Sequence, residues 1–455
     1  MSEVPGSLLR NVIGSLAGFG RDLTQSRRAA QAHKPISRLT RLCRALLSEH
    51  GEASGQVLAR EVIAGYATLD ASERSEFFLL LAQQFSPDPA QILAAARAYA
   101  ADPTQAKLVQ LQKLTESPRQ ELFRRLNMIV GGTAALVQMR KALLAENTPR
   151  GELVGVDADM MRLFSSWFSR GFLVLRRVDW HTPAVVLEKL IQYEAVHAIQ
   201  GWSDLRRRLE RDRRCFAFFH PALPDEPLIF VEVALTEVIP RRVQELIDPN
   251  APLGNLQRAS CATFYSITNC QEGLRGVSLG NFLIKQVVAE LRTESPGLKT
   301  FVTLSPVPGF RRWLGDAREQ LRGCKGGEGV LDSLLRLEDP GWTRKAEACR
   351  ELQSALMPLC AWYLTQAKAH DLPLDLVARF HINNGARLEA VNWLADLSDN
   401  GLQQSAGIMV NYRYRPEHIE RNQDTFAREH SVLAARRVRA LARFAPLAAA
   451  ETGAK

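Results

Sequence analysis

The run Phe301-Val302-Thr303-Leu304-Ser305-Pro306-Val307-Pro308-Gly309-Phe310 constrains this chain more than any other stretch. An apolar strand meets two prolines, and a hydroxyl stands at the break. Proline has no N–H to give to a ladder, so the strand ends at about Ser305. A rigid turn then holds that serine at the strand's C-terminal mouth, where open α/β sheets bind ligands. Alone, such a turn reads first as structural. Its flanks change that.

Upstream, Ala262-Thr263-Phe264-Tyr265-Ser266-Ile267 is rich in aromatic and β-branched residues and reads as a buried strand. The loop Gln271-Glu272-Gly273-Leu274-Arg275-Gly276-Val277-Ser278-Leu279-Gly280-Asn281 follows. Beyond it Phe282, Leu283, Ile284, Val287, Val288 and Leu291 recur at helical spacing. The predicted order is strand, glycine-rich loop, helix, and the strand ending at Ser305. Glycines let backbone N–H groups converge on an anion, and a helix N-terminus adds a favourable dipole. The loop suits a pyrophosphate, although its spacing is neither a Walker A sequence nor the dinucleotide fingerprint. A generic glycine turn is the alternative on this segment alone.

At 455 residues the chain exceeds one ordinary domain, so two are expected. The first part reads as helices. Asp88-Pro89 opens one, and Ser117-Pro118-Arg119-Gln120 has a capping-box pattern with proline at the first helical position. Leu122, Phe123, Leu126, Ile129 and Val130 then fall on one face, and Gly131-Gly132 offers a stop or hinge. The polar breaker Asn147-Thr148-Pro149-Arg150-Gly151 sets the expected boundary, giving an all-helical domain over residues 1–154 and a mixed α/β domain over 155–455. Strands are predicted at 215–219, 228–235, 262–267, 301–304, 379–382 and 407–412, with a helical insertion near 316–375. A basic helix is predicted after Pro416, running through Arg436-Arg437-Val438-Arg439 with its arginines as a solvated face. Exposed amphipathic faces predict that the helical domain packs on the second domain or on another subunit.

The net charge of +9 raises the question of nucleic acid, but the charge is distributed and no helix-turn-helix, zinc-finger or RNP pattern is present. No apolar run approaches the ~20 residues that span a bilayer. Seven scattered cysteines (Cys43, Cys215, Cys261, Cys270, Cys324, Cys349, Cys360) without CxxC spacing argue against a disulfide framework or zinc site, and for a reducing compartment. The histidines show no HxxxH or HxH pair, so no metal site is expected. The segment from Leu8 to Arg28 is basic and mildly amphipathic, as a transit peptide would be, but Glu3 and Asp22 favour an ordinary first helix. The C-terminal Gly453-Ala454-Lys455 is not a peroxisomal signal. The expectation is a soluble cytoplasmic enzyme.

Further motifs resemble those of a known family. Arg379-Phe380-His381-Ile382-Asn383-Asn384-Gly385-Ala386, Asn392-Trp393-Leu394-Ala395-Asp396 and Val410-Asn411-Tyr412-Arg413-Tyr414 join the Leu304–Phe310 run in resembling malonyl-CoA decarboxylases. Tyr193-Glu194-Ala195-Val196-His197, Arg213-Arg214-Cys215 and the stretch from Pro227-Leu228 through Val233-Ala234-Leu235-Thr236 resemble the same family. The resemblance implies a catalytic domain of the GNAT acetyltransferase fold, re-used for decarboxylation. It sets Arg275-Gly276-Val277-Ser278-Leu279-Gly280 beside the GNAT pyrophosphate loop, with Ser278 where a glycine would stand; malonyl-CoA decarboxylases often carry an acidic residue there. A catalytic role for position 278 is therefore in doubt, whereas the backbone donors remain.

Decarboxylation of malonyl-CoA needs an oriented carboxylate, donors for the developing enolate and a proton for the carbon. The thioester itself accepts the electrons, so no cofactor beyond the coenzyme A of the substrate is implied. By resemblance Ser305 and His381 are the proton acceptor and proton donor, and both are expected at strand ends. Substrate contacts are expected from Arg275, Gly276, Val277, Ser278, Leu279, Gly280 and Asn281 on the coenzyme, and from Asn411 and Tyr414 in the acyl pocket. Without the motifs, His381 would read as a buried histidine bonded to backbone, and His197 is read as structural. The expected partners are malonyl-CoA and further copies of the chain, as a dimer or tetramer through the helical domain. A GNAT-type acyltransferase and a non-catalytic acyl-CoA-binding or nucleic-acid-associated scaffold are the competing readings.

Overall fold

The computed structural model describes residues 35–146 and 150–448. The basic N-terminal segment, Asn147-Thr148-Pro149 of the breaker, and Gly453-Ala454-Lys455 lie outside the described residues. The chain forms two compact units. One takes the described residues up to Phe172 with His220–Pro224 and Gln271–Ser278; the other takes Leu173–Phe219, Asp225–Cys270 and the chain from Leu279 onward.

The first unit is helical through α1 (Pro35–Ser48), α2 (Glu52–Ala67), α3 (Ala71–Gln84), α4 (Pro89–Ala101), α5 (Gln105–Thr115), α6 (Pro118–Asn127), α7 (Gly132–Ala145) and α8 (Arg150–Trp167). An unbroken α8 crosses residues 154–155, where the breaker had placed the boundary. Asp88 caps α4 through the Ala90 amide, with Pro89 at its first turn. The capping box expected at Ser117 does not form. Its hydroxyl donates instead to Asp159 Oδ2 at 2.6 Å, and Gln120 Nε2 donates to Asp159 Oδ1 at 2.6 Å. Leu122, Phe123, Leu126 and Ile129 are buried as predicted, but Val130 is 96% exposed. The helix has ended at Asn127, so helical spacing no longer governs position 130.

The second unit is built on one mixed sheet of β1 (Val174–Val178), β2 (Arg213–Phe219), β3 (Ile229–Thr236), β4 (Cys261–Asn269), β5 (Thr300–Thr303), β6 (Ser305–Pro306), β9 (Arg387–Asn392) and β10 (Met409–Tyr414). Its order is β1-β2-β3-β4-β5-β10-β6, with β9 also on β10. Neighbours are antiparallel except β4 and β5, which are parallel and joined through the glycine loop and α11 (Gly280–Glu294). Every residue of β2 is buried, which requires cover on both faces. One cluster joins Phe219 and Phe230 to Leu187, Leu190 and Leu205, from α9 (Ala184–Tyr193) and α10 (Trp202–Arg208); another joins Tyr265, Leu304 and Met409. This is the mixed sheet that the sequence leads one to expect, here with one parallel pair.

Between β6 and β9 lie α12 (Phe310–Asp316), α13 (Ala346–Thr365), the ribbon of β7 (Lys368–Ala369) and β8 (Leu372–Pro373), and α14 (Leu376–Asn383). The last corrects the strand expected at 379–382. Asp375 caps this segment by accepting the Ala378 amide at 2.8 Å, and Ala378, His381 and Ile382 are buried at helical spacing. The basic helix expected after Pro416 is two helices, α15 (Ile419–Glu429) and α16 (Arg436–Ala442), separated at His430, which adopts φ 51°.

A buried charge network ties α10 to the sheet. Arg208, 1% exposed, donates to Asp204 Oδ1 at 3.0 Å, Glu232 Oε2 at 2.7 Å and the His197 carbonyl at 2.8 Å. Glu194 accepts from the His197 amide and the Ser266 hydroxyl, each at 2.8 Å. Removing one member strands buried charge, which typically costs about 3–5 kcal/mol. Arg208→Ala is therefore expected to lose about that much stability, read as a lower urea midpoint. A midpoint equal to the wild type would show that Glu232 and Asp204 are satisfied by other means.

Candidate active site

Ser305 and His381 meet. The serine stands in β6 just past the strand break, and His381 lies in the last turn of α14. Ser305 Oγ and His381 Nε2 are 3.0 Å apart, although the residues are 76 positions apart in sequence. His381 was expected at a strand end and sits on a helix instead. Its neighbours fix it: Tyr414 Oη lies 2.8 Å from Nδ1, and the Tyr412 ring stacks on the imidazole at 4.5 Å and 23°.

The chain of polar contacts continues through Thr303. Ser305 Oγ donates to Thr303 Oγ1 at 2.8 Å, and the same oxygen accepts the Tyr412 amide at 3.2 Å. Because the single serine proton is then directed to Thr303, the contact with His381 is completed by Nε2–H donating to Ser305 Oγ. Nδ1 is left as the acceptor of the Tyr414 hydroxyl. Thr303, Tyr412 and Tyr414 thus fix one tautomer. Thr303 and Tyr412 were missed as site residues. A usable signal for Thr303 was its position two before Ser305, on the same face of an extended run.

Burial governs the electrostatics. His381 is 2% exposed, and loss of solvation pushes its pKa down to about 3. Tyr412 and Tyr414 are raised well above ordinary phenols for the same reason. His381, Tyr412 and Tyr414 are therefore neutral at ordinary pH. Asn411, expected in the acyl pocket, is 1% exposed and engaged by protein: its Nδ2 donates to the Thr303 carbonyl at 2.9 Å, and its Oδ1 accepts from Asn392 at 2.7 Å. It braces the site through Thr303.

The expected coenzyme loop divides between the two units. Gln271–Ser278 belongs to the helical unit, where the amides of Leu274, Arg275 and Val277 are used by Gln271, Glu272 and Leu274 carbonyls. The amides of Gly276 and Ser278 have no partner among the described residues. Arg275, Gly276 and Ser278 are exposed and Val277 is half-buried. In the other unit Leu279 is buried and Gly280 opens α11; a Cβ on Gly280 would lie 2.6 Å from the Phe380 ring. The absence of a side chain at 280 is thus demanded by packing beside His381. Of Asn281, only its place in α11 is described. Among the described residues no group of three or more His, Cys, Asp or Glu is placed to hold a metal, and no helix is long and apolar enough to cross a membrane.

The chain is similar to known proteins along most of its length. Residues 85–168 match the malonyl-CoA decarboxylase N-terminal domain and residues 171–452 the malonyl-CoA decarboxylase C-terminal domain. Mitochondrial malonyl-CoA decarboxylase of Rattus norvegicus is 36% identical over 431 residues, covering 87% of both chains. That of Anser anser anser is 35% identical over 395 residues, covering 80% of this chain and 78% of its own. Among solved structures, malonyl-CoA decarboxylase from Rhodopseudomonas palustris superposes with a TM-score of 0.84 at 47% identity, over 89% of this chain and 99% of that one. The enzyme from Agrobacterium vitis gives 0.85 at 47% identity with the same coverage.

The depressed basicity of His381 has a stability consequence. The unfolded chain takes up a proton at this residue near pH 6.5, whereas the folded one does so near 3. Between those values the unfolded state binds more protons, so stability from this residue is full above about 6.5 and is lost as pH falls toward 3. Thermal denaturation of His381→Gln against wild type should show a shallower loss in that window. Equal slopes would mean that His381 is solvated.

Proposed function

The chain belongs to the malonyl-CoA decarboxylase family, and from that premise we propose that it converts malonyl-CoA to acetyl-CoA and carbon dioxide. The observation that carries the residue assignment is the buried Ser305–His381 contact of 3.0 Å, with both outer positions of the pair occupied by Thr303 and Tyr414. As the bond to the carboxylate breaks, its electron pair passes into the thioester and forms an enolate. Ser305 orients the substrate and is the proton acceptor of the pair. His381 Nε2 supplies the proton that replaces carbon dioxide on the carbon, and Tyr414 holds the imidazole through Nδ1. The substrate's negative charge in a dry site raises the affinity of His381 for a proton, offsetting the burial that depresses it. In this reading no further cofactor is used.

Coenzyme A is held along Arg275, Gly276, Val277, Ser278, Leu279, Gly280 and Asn281, chiefly by backbone donors, with the exposed Arg275 adding charge. The helical unit assembles copies of the chain into a homo-oligomer. Supporting this, α4 and α5 bury no residue, and Leu93 and Val109 are 51% and 54% exposed on them. All seven cysteines are unpaired, which supports a reducing compartment such as the cytoplasm.

Purified protein given malonyl-CoA without an acceptor should release acetyl-CoA and carbon dioxide. Ser305→Ala and His381→Ala should each lower kcat by ~10²–10⁴-fold, the usual range for general acid–base groups, with KM changed far less. A folded variant with near-wild-type kcat would remove that residue from the mechanism. Light scattering on Leu93→Glu/Val109→Glu should report a lower mass than wild type; an unchanged mass would place the interface elsewhere.

A further inference from the structure

We propose that Arg140 is the positioning residue of the coenzyme loop, aiming the Gly276 amide outward for a pyrophosphate; this rests on reading that loop as the coenzyme cradle. Arg140 lies on α7 and is 1% exposed. Its Nη1 donates to the carbonyls of Gly273 and Arg275 at 2.7 and 2.8 Å, and its Nε donates to Asp157 Oδ1 at 2.8 Å. One guanidinium therefore gathers two loop carbonyls, and Asp157 on α8 fixes its plane.

The orientation of the amides follows from peptide geometry. In a trans peptide the N–H points opposite to the C=O of the same plane. Drawing the Arg275 carbonyl toward Arg140 turns the Gly276 N–H away from it. That amide has no partner among the described residues, and Gly276 is exposed with φ +89°. Drawing in the Gly273 carbonyl likewise turns the Leu274 N–H, which the Gln271 carbonyl satisfies at 2.9 Å.

Sterics enforce the same pose. A Cβ on Gly273 would stand 2.0 Å from the Val137 carbonyl, and one on Gly276 would stand 2.4 Å from Met161 Cε. At Gly273 the neighbour is helix backbone, so only hydrogen fits; at Gly276 the neighbour is the movable tip of Met161, and it is the positive φ that favours glycine. Without Arg140, two carbonyls lose a charged donor and the loop must be ordered when ligand binds. The guanidinium thus acts on binding rather than on the reaction.

The test compares full-length wild type, Arg140→Ala, Arg140→Lys and Asp157→Asn. Calorimetry with coenzyme A and steady-state kinetics with malonyl-CoA are the readouts. Losing hydrogen bonds to a charged group corresponds to roughly 10–100-fold in affinity. Arg140→Ala should raise the coenzyme A Kd and the malonyl-CoA KM by that range, with kcat little changed. Arg140→Lys, which keeps a donor for the carbonyls, should recover part of the loss. Asp157→Asn should give a smaller rise of the same kind, and serves if Arg140→Ala does not fold. Unchanged Kd in Arg140→Ala, or in Asp157→Asn where that stands in, overturns the proposal. So does a parallel fall of kcat and rise of KM that lysine does not relieve, because that is what a purely structural arginine would give. Wild type that binds coenzyme A with this Arg140 dependence but releases no carbon dioxide supports the proposal and refutes the decarboxylase reading. Wild type that binds no coenzyme A refutes the loop reading and the proposal with it.

Discussion

The site depends on how two polar side chains mend a broken ladder. β10 pairs with β5 at Arg413 and Tyr414 and with β6 at Met409 and Val410. Between those registers the regular ladder is interrupted at Leu304, whose amide instead reaches the Phe264 carbonyl at 2.9 Å. The gap is closed by side chains: Thr303 Oγ1 accepts the Tyr412 amide, and Asn411 Nδ2 donates to the Thr303 carbonyl. A register shift between Asn411 and Tyr412 on the β9 side frees the same segment. Backbone groups this deeply buried must be paired, so the repair is obligatory. It places Ser305 beside the imidazole and holds Tyr412 flat against it.

Ser305 was legible because proline acts locally. The ladder pauses at Leu304, resumes only for the two residues Ser305–Pro306 and then ends, so the serine before the prolines inherits a fixed place. His381 was legible as a motif residue but not in its setting. Arg379-Phe380-His381-Ile382 alternates as a strand would over so short a window, and length decides between the periods. The overlooked signal was Asp375, an N-cap directly ahead of Leu376. The other misreadings share a cause. Ser117 and Val130 were judged from sequence-local rules, whereas a distant carboxylate on α8 claimed the Ser117 hydroxyl and an early helix end released Val130.

The glycines of the loop illustrate what a sequence cannot separate. Gly273 is required by the helix backbone that crowds it, Gly276 by its positive φ, and Gly280 by the Phe380 ring. All could equally have been read as making room for phosphate. The two demands are compatible, since a loop pressed flat on one side presents its backbone on the other. Substitution at Gly280 is accordingly a poor probe of coenzyme binding, because the displaced ring is the neighbour of His381.

The burial of His381 ties its charge to its neighbours rather than to the solvent. At 2% exposure the imidazole has no water with which to share a positive charge, and burial holds its pKa near 3. A charge on this ring would call for a negative group set directly beside it, so the ring reports on what is packed against it more than on the surrounding buffer.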